Sequence, residues 1–164
     1  VGQDQSALLS LPSHYQLEGG RLVQSLPYSF DEATRFYSDS ERAEYVRAFE
    51  TDIINLLVGP VAEAKYVAYR DDEIFSRNLI SVDSLRFYGG TDDLKLVADY
   101  LASYIPGLQE RSTKLKELYY AAYRFVDKRS HWQAISAVAE LISSCTKSYV
   151  NCEDVANCLN CGCA

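Results

Sequence analysis

The sequence predicts a mainly α-helical fold, with at most a small β element near its N-terminus. From position 38 onward, apolar residues recur at spacings of three and four, which is the period of an amphipathic helix. Capping residues and glycine–proline pairs mark where those segments begin and end. A length of 164 residues fits one domain. We expect residues 1–37 to be irregular or β-structured and residues 145–164 to form a cysteine-rich tail.

The N-terminal half contains the predicted β element and the first helices. Residues 13–28 could pair as two short strands around a turn at Gly19-Gly20. Ser38 and Glu41 have the spacing of a capping box, which predicts a helix start. Because proline lacks an N–H and clashes with the preceding turn, the helix is predicted to kink or restart at Gly59-Pro60. A second helix would then begin at Pro60 and run to about Tyr69, with a close helix contact at the break.

The central helix is predicted to run from Thr91 to about Tyr104. Thr91 is a suitable N-cap, and Asp92 and Asp93 follow in the first turn, where negative charge complements the helix dipole. A carboxylate in this place could also hold a cation. The apolar stripe of this helix is formed by Leu94, Val97, Leu101 and Ile105.

The region before this helix, residues 71–90, is predicted to be a loop. A further helix is expected from about Glu110 to Lys128, and another is expected to be capped by Ser130. Asn151 is expected to cap a last short turn. The residues expected to face inward from the first of these helices are Leu115, Leu118, Ala122, Phe125 and Val126. Folding is expected to depend on Leu94, Leu101 and Trp132.

Charge and composition limit the function classes. The net charge is −7 and no basic run occurs, which argues against a nucleic-acid partner. No apolar run reaches the roughly 18 residues of a membrane span, and no secretion signal is visible, so we expect a cytoplasmic location. The absence of methionine, even at position 1, indicates a start inside a longer gene product. The 13 tyrosines suit half-buried surfaces, which makes self-association or an unknown protein partner plausible.

Motifs for catalysis are missing from the chain. The two histidines, His14 and His131, lie far apart in sequence and belong to no ligand motif. Neither a P-loop nor a Gly-x-Gly-x-x-Gly pattern is present. We therefore assign no catalytic residue and no certain cofactor.

The cysteines are all in the last 20 residues. Cys158, Cys161 and Cys163 could present three thiolates to zinc or an iron–sulfur cluster, with Cys152 as a fourth ligand. Redox-active thiols, a local disulfide or a chance clustering are the alternatives. The odd count of five argues against a full disulfide framework.

Three segments, in this order, resemble the peptidase domain of FtsH-type ATP-dependent zinc metalloproteases. The segment from Phe49 to Glu63 is similar to the family's helix with a Leu-x-Gly-x-x-Ala-Glu pattern. Residues 90–98, Gly-Thr-Asp-Asp-Leu-Lys-Leu-Val-Ala, resemble the family's Gly-x-x-Asn-Asp-Leu-x-x-Ala-Thr stretch. The helix from His131 to Ile142, with the turn from Asn151, resembles the family's C-terminal helical hairpin. The turn at Gly19-Gly20-Arg21-Leu22 is also similar to a family turn. The matches span about residues 19–160.

The resemblance implies a helical bundle like the family's peptidase domain, and it places Asp93 at the position of the third zinc ligand. The family also needs His-Glu-x-x-His, in which the histidines bind zinc and the glutamate is the general base. This motif would lie before the first residue, and the ATPase module is absent too. The resemblance therefore implies a divergent, non-catalytic structural or regulatory module. The alternatives are a zinc metallopeptidase whose catalytic helix lies outside this chain, and a metal- or redox-responsive protein that uses the C-terminal cysteines.

Overall fold

The chain folds into a mainly α-helical structure, as the sequence predicts. The computed structural model describes residues 20–78, 80–146 and 149–161, without the Cys161 side chain. The described residues contain no strand. Of the strand pair predicted at 13–28, residues 13–19 lie outside the described residues. Residues 20–28 are described, and they form irregular structure and no strand.

Six α-helices and one 3₁₀ helix make up the described part of the fold. The α-helices are α1 (Phe30–Ala33), α2 (Asp39–Arg70), α3 (Thr91–Tyr104), α4 (Leu108–Asp127), α5 (Arg129–Ser144) and α6 (Cys152–Cys161). The 3₁₀ helix spans Val82–Tyr88, inside the region 71–90 that the sequence predicts to be a loop. Ser81 and Ser84 cap this 3₁₀ helix reciprocally, which explains why a short helix forms there. Within the described ranges, no helix has the length and apolar character needed to cross a membrane.

The long helix α2 lies at the centre, and α3, α4 and the 3₁₀ helix pack against it. Its predicted capping box is confirmed, since the Ser38 hydroxyl accepts from the Glu41 N–H and the Glu41 carboxylate accepts from the Ser38 N–H. The predicted restart of a second helix at Pro60 is wrong, because α2 continues through Pro60 as one helix. Its buried stripe runs across the proline: Phe49, Ile53, Leu57, Val61 and Ala64. The burial on both sides outweighs the lost backbone hydrogen bond.

A close contact does occur at Pro60, as the sequence suggests. A Cβ atom added to Gly90 would lie 2.7 Å from the Pro60 Cγ atom, so only glycine fits at this point. Gly89, one residue earlier, adopts a left-handed conformation with a φ of 74° and ends the 3₁₀ helix. Gly90 thereby allows the start of α3 to pack directly on the middle of α2.

The predicted apolar stripe of α3 is confirmed, since Val97 and Leu101 are buried and Leu94 and Ile105 pack against the core. The predicted N-cap Thr91 is wrong. Gly90 occupies that position without a side-chain cap, and its carbonyl accepts from the Leu94 N–H. The Thr91 hydroxyl instead donates to the carbonyl oxygen of Arg86, because the end of the 3₁₀ helix leaves that acceptor open.

The predicted bounds of α4 are confirmed to within two residues. Of the residues predicted to face inward, Leu118, Ala122 and Val126 are buried and Leu115 packs against the core, which confirms them. Phe125 is 43% exposed, and Tyr119 and Tyr123 are buried in addition. The predicted cap Ser130 is wrong, because α5 already begins at Arg129. Lys128, the single extended residue between α4 and α5, occupies the N-cap position, and its side chain forms no capping hydrogen bond because an ammonium group cannot accept one.

The helical hairpin of α5 and α6, residues 129–161, lies outside the core. None of the side chains of α5 is buried. Helix α5 packs more extensively on α6 than on α4. Trp132 and Ile135 are apolar residues of the hairpin that pack against the core as partly buried side chains. Trp132 is therefore a partly buried contact at the edge of the core, and the expectation that folding depends on it stays a prediction.

Candidate ligand-binding site

The predicted metal ligand Asp93 lies in the first turn of α3 and is partly buried. Across residues 20–78, 80–146 and 149–161, no three His, Cys, Asp or Glu side chains are grouped as potential ligands of one metal ion. His131 lies at the start of α5, where its Nδ1 is 2.9 Å from the carbonyl oxygen of Phe125. His14 lies outside the described residues. The prediction of a zinc ligand at Asp93 stays a prediction.

The cysteines of the predicted alternative metal site are only partly described. Cys152 is exposed and Cys158 is partly buried, and both are free thiols on α6. Cys161 ends the same helix, but its side chain lies outside the described part, as does the whole of Cys163. The structure therefore leaves the cysteine site a prediction.

A different cluster of polar side chains converges where the segment after α2 crosses α4. Helix α2 ends at Arg70, and Asp72 then adopts a left-handed conformation with a φ of 57°. The N–H of Glu73 donates to the carbonyl oxygen of Ala68 at 2.7 Å. This bond satisfies an acceptor at the helix end and turns the chain towards α4.

Two tyrosines of α4 hold this segment in place. The ring of Phe75 stacks on the ring of Tyr123 with a centroid distance of 4.7 Å and an interplanar angle of 6°. The Tyr123 hydroxyl donates to the carbonyl oxygen of Phe75 at 3.4 Å. The Tyr119 hydroxyl donates to the carbonyl oxygen of Ile80. Residues on both sides of Arg77 are thus fixed to α4.

The result is an open cavity of about 360 Å³ lined by Arg77, Glu117, Tyr120, Tyr123 and Arg124. Its volume falls in the range of small-molecule sites, roughly 300–1,000 Å³. The spacing of Glu117, Tyr120 and Arg124 places them along one side of α4, since residues three and four apart are neighbours on a helix. The guanidinium carbon of Arg77 lies 5.7 Å from the centre of the Tyr120 ring.

The charges around this cavity are unevenly paired. Neither Arg77 nor Arg124 forms an ion pair with any other residue that the structure describes. The Glu117 carboxylate, in contrast, lies 2.9 Å from the Lys114 ammonium, which also pairs with Glu50 at 2.9 Å. Hydrogen bonds to these two carboxylates raise the pKa of Lys114 above its usual value. Two guanidinium groups therefore remain available to a ligand.

The hydroxyl groups add hydrogen-bonding capacity. Burial, and next the nearby Asp127 carboxylate, raise the pKa of Tyr123. The Tyr123 phenol therefore stays protonated at neutral pH. Tyr120 is 46% exposed, so its ring and hydroxyl are accessible from solvent. Because the Tyr123 hydroxyl already donates to the carbonyl oxygen of Phe75, the donors left for a ligand are the two guanidinium forks and the Tyr120 hydroxyl, a set that suits an oxyanion.

A second cluster surrounds Lys65, whose side chain is 2% exposed. Its ammonium donates to the carbonyl oxygen of Val126 at 3.1 Å and to the Asp127 carboxylate at 3.2 Å. It also lies over two rings, at 5.1 Å from Phe75 and 5.0 Å from Trp132. Because its hydrogen bonds and ring contacts are all internal, we interpret Lys65 as a structural link between α2, α4 and α5.

A third cluster is centred on Asp52, which is 2% exposed. Its two carboxylate oxygens accept from the backbone N–H groups of Leu22 and Val23, both at 2.8 Å. The Tyr100 hydroxyl donates to the same carboxylate at 3.2 Å and lies 3.1 Å from the carbonyl oxygen of Val23. This network attaches the N-terminal segment to α2 and α3, and it leaves Asp52 no access to a ligand.

Sequence reasoning missed all three clusters. Asp52 and Lys65 carry a usable signal, because each interrupts an apolar helix face: Asp52 follows Phe49 by three residues, and Lys65 follows Val61 by four. A charge at such a position predicts a buried, paired group. The cavity has no such signal, because Arg77 lies 47 residues before Arg124 and only the tertiary fold brings them together.

The chain matches no protein-family model, no curated protein and no solved structure.

Proposed function

We propose that this chain is a non-catalytic helical module that binds a ligand in the cavity between α4 and the segment carrying Arg77. The observation that carries the proposal is that two guanidinium groups, Arg77 and Arg124, form no ion pair with another described residue and line one cavity of small-molecule size. The proposal extends the sequence-based prediction of a structural or regulatory module by giving it a specific binding surface. The relationship to FtsH-type peptidases stays a prediction on which this proposal does not depend.

The fixed walls of the cavity support the proposal. Tyr123 is held by ring stacking and a hydrogen bond, so a ligand would meet a preformed wall and bear little cost of ordering it. The net charge of the chain is −7, so two guanidinium groups that form no ion pair with another described residue are a local point of attraction for an anion. An anionic ligand would therefore have a more favourable electrostatic free energy of binding at this cavity than on the rest of the surface.

An NMR titration of the full chain tests this proposal. Benzoate, phenyl phosphate, inorganic phosphate and phenol are added separately while the backbone amide signals are followed. We expect at least one probe to produce saturable shifts that cluster at residues 76–78 and 117–124. The variants Arg77→Gln and Arg124→Gln should weaken that binding. Arg86→Gln is the matched control, because Arg86 also stacks on an aromatic ring, Phe87, at 5.0 Å, away from the cavity.

Two outcomes would overturn the proposal. The first is that no probe binds, or that binding is the same in both arginine variants as in the wild type. The second concerns the absence of catalysis in this proposal, and elemental analysis of this chain, together with a peptidase assay, addresses it. Zinc that is lost on Asp93→Ala, together with peptide hydrolysis, would identify a peptidase instead.

A further inference from the structure

We infer that the helices α5 and α6 form a hinged lid over Lys65, and that the positive charge of Lys65 holds this lid closed. The Lys65 ammonium lies in a cage of three aromatic rings, and α5 supplies one of them. This conformational device goes beyond the proposed function and does not depend on it.

The cage surrounds a cation from which water is excluded. The Lys65 side chain is almost fully buried, and its ammonium lies 5.6 Å from the centre of the Tyr69 ring and 5.1 Å from that of Phe75. The third ring, that of Trp132, lies at 5.0 Å. The attraction between an ammonium group and a ring face is strongest where both are desolvated. Since Tyr69 and Phe75 precede α4 in the chain and Trp132 belongs to α5, the lid closes a cage that the rest of the fold begins.

The caged lysine also lies beside the point at which the lid begins. Its ammonium donates to the carbonyl oxygen of Val126 and to the Asp127 carboxylate, both in the last turn of α4. A cation is favourable there, because it satisfies a carbonyl group at the helix end and complements the helix dipole. Lys128 follows as the single extended residue between α4 and α5. Hinges consist of a few such residues between elements, so a change in the backbone dihedral angles of Lys128 would swing α5 away from α2.

The lid has little apolar burial to hold it closed. Helix α5 buries no side chain, and Trp132 and Ile135 pack against the core only as partly buried side chains. Opening breaks the contacts of Trp132 with the Lys65 ammonium and with the Tyr69 ring. The hydrogen bonds of Lys65 to the end of α4 can persist, and the ammonium regains water. The lid can therefore open while the rest of the fold stays intact.

The chain contains one tryptophan, Trp132, so its fluorescence reports directly on the lid. Lys65→Met keeps a long side chain and removes its charge, so closure by apolar packing alone would survive this change. We expect instead that acrylamide quenches Trp132 more strongly in Lys65→Met than in the wild type. Amide exchange in α5 and α6 should be about tenfold faster, as the loss of one desolvated cation–ring contact would give, and exchange in α2 should stay slow. Lys116→Met is the matched control, because it removes the charge of an exposed lysine on α4.

Chemical rescue separates charge from shape. Lys65→Ala removes a propylammonium group, so added propylammonium should restore the shielding of Trp132, and 1-propanol should not. Equal quenching in Lys65→Met and the wild type, or equal restoration by the two additives, would show that the charge does not hold the lid closed. Exchange that accelerates by the same factor in α2 and α5 of Lys65→Met would show that Lys65 stabilises the whole fold and that no separate lid exists.

Discussion

The core body, formed by α2, the 3₁₀ helix, α3 and α4, differs from the hairpin of α5 and α6 in how each is stabilised. In the core body, side chains such as Phe49, Leu57 and Val126 are fully buried, and a buried carboxylate is bonded to backbone N–H groups. In the hairpin, α5 buries no side chain and reaches the core body through Trp132 and Ile135. The difference teaches that equally periodic helices can contribute very unequally to stability, because periodicity shows which face is apolar and not what covers it.

The largest effect is expected from truncating the core stripe of α3. Leu101 is 3% exposed, so Leu101→Ala should lower the free energy of unfolding by about 2–5 kcal/mol through lost burial and a residual cavity. Urea denaturation followed by circular dichroism measures this change. Leu108→Ala is the matched control, since Leu108 is 79% exposed and the same truncation there should change little. Equal effects of the two variants would contradict the assignment of Leu101 to the core.

This part of the fold could be predicted from sequence. The stripe on α3 and the capping box of α2 depend on neighbours within one helix, so local spacing specifies them. The course of α2 through Pro60 could not be predicted in this way. It depends on burial supplied by α3 and α4, which a local rule about proline does not include.

The next largest effect is expected at Asp52. Asp52→Ala removes the acceptor of two backbone N–H groups, of which the one at Val23 is buried. Leaving buried donors unpaired should lower the free energy of unfolding by about 2–4 kcal/mol. Asp92→Ala on α3 is the control, because Asp92 forms an exposed pair with Lys95 and such pairs contribute little. A change below about 0.5 kcal/mol for Asp52→Ala would show that the network does not stabilise the fold.

The candidate cavity also could not be predicted from the sequence, because it depends on contacts between residues far apart in the chain. Arg77 belongs to a segment whose path is set by ring stacking between Phe75 and Tyr123 and by the hydrogen bond to Tyr119. Tyr119 and Tyr123 lie on the side of α4 where the sequence indicated Leu118, Ala122 and Val126 as core residues. Apolar periodicity does not show whether a tyrosine is buried or exposed. Here the tyrosine hydroxyls bond to backbone carbonyl groups of the segment and so determine its path.

A third prediction concerns alkaline pH. Burial, and next the neighbouring Tyr123, raise the pKa of Tyr119 to about 12. Its folded pKa thus exceeds the unfolded value near 10, so its contribution is complete below about pH 10 and is lost as the pH rises towards 12. The free energy of unfolding should fall by about 1.4 kcal/mol per pH unit for this phenol within that window. Urea denaturation between pH 9 and about 11.5 measures the slope.

Tyr119→Phe removes this phenol and should make the decline with pH shallower. Tyr66→Phe is the control, since Tyr66 is 56% exposed on α2 and reports the effect of removing a hydroxyl from an accessible ring. Tyr119→Phe also deletes the hydrogen bond to Ile80, so the free energy of unfolding of this variant at neutral pH should be lower by about 1 kcal/mol. An unchanged slope in Tyr119→Phe would contradict the role of this residue in the alkaline transition.

The smallest effect is expected in the hairpin, at its contact with the core body. Trp132 packs edge-on against Tyr69 at 5.8 Å and lies beneath the Lys65 ammonium. Because Trp132 is only partly buried, Trp132→Ala should lower the free energy of unfolding by roughly 1–2 kcal/mol, less than a core tryptophan would. Hydrogen exchange should accelerate in α5 and α6 and stay slow in α4, because the hairpin would open without unfolding the core body. Ile142→Ala, at a side chain that is 57% exposed, should change neither quantity appreciably. If Trp132→Ala accelerated exchange equally in α4 and α5, the core body and the hairpin would unfold as one unit, and the distinction between them would hold for burial but not for stability.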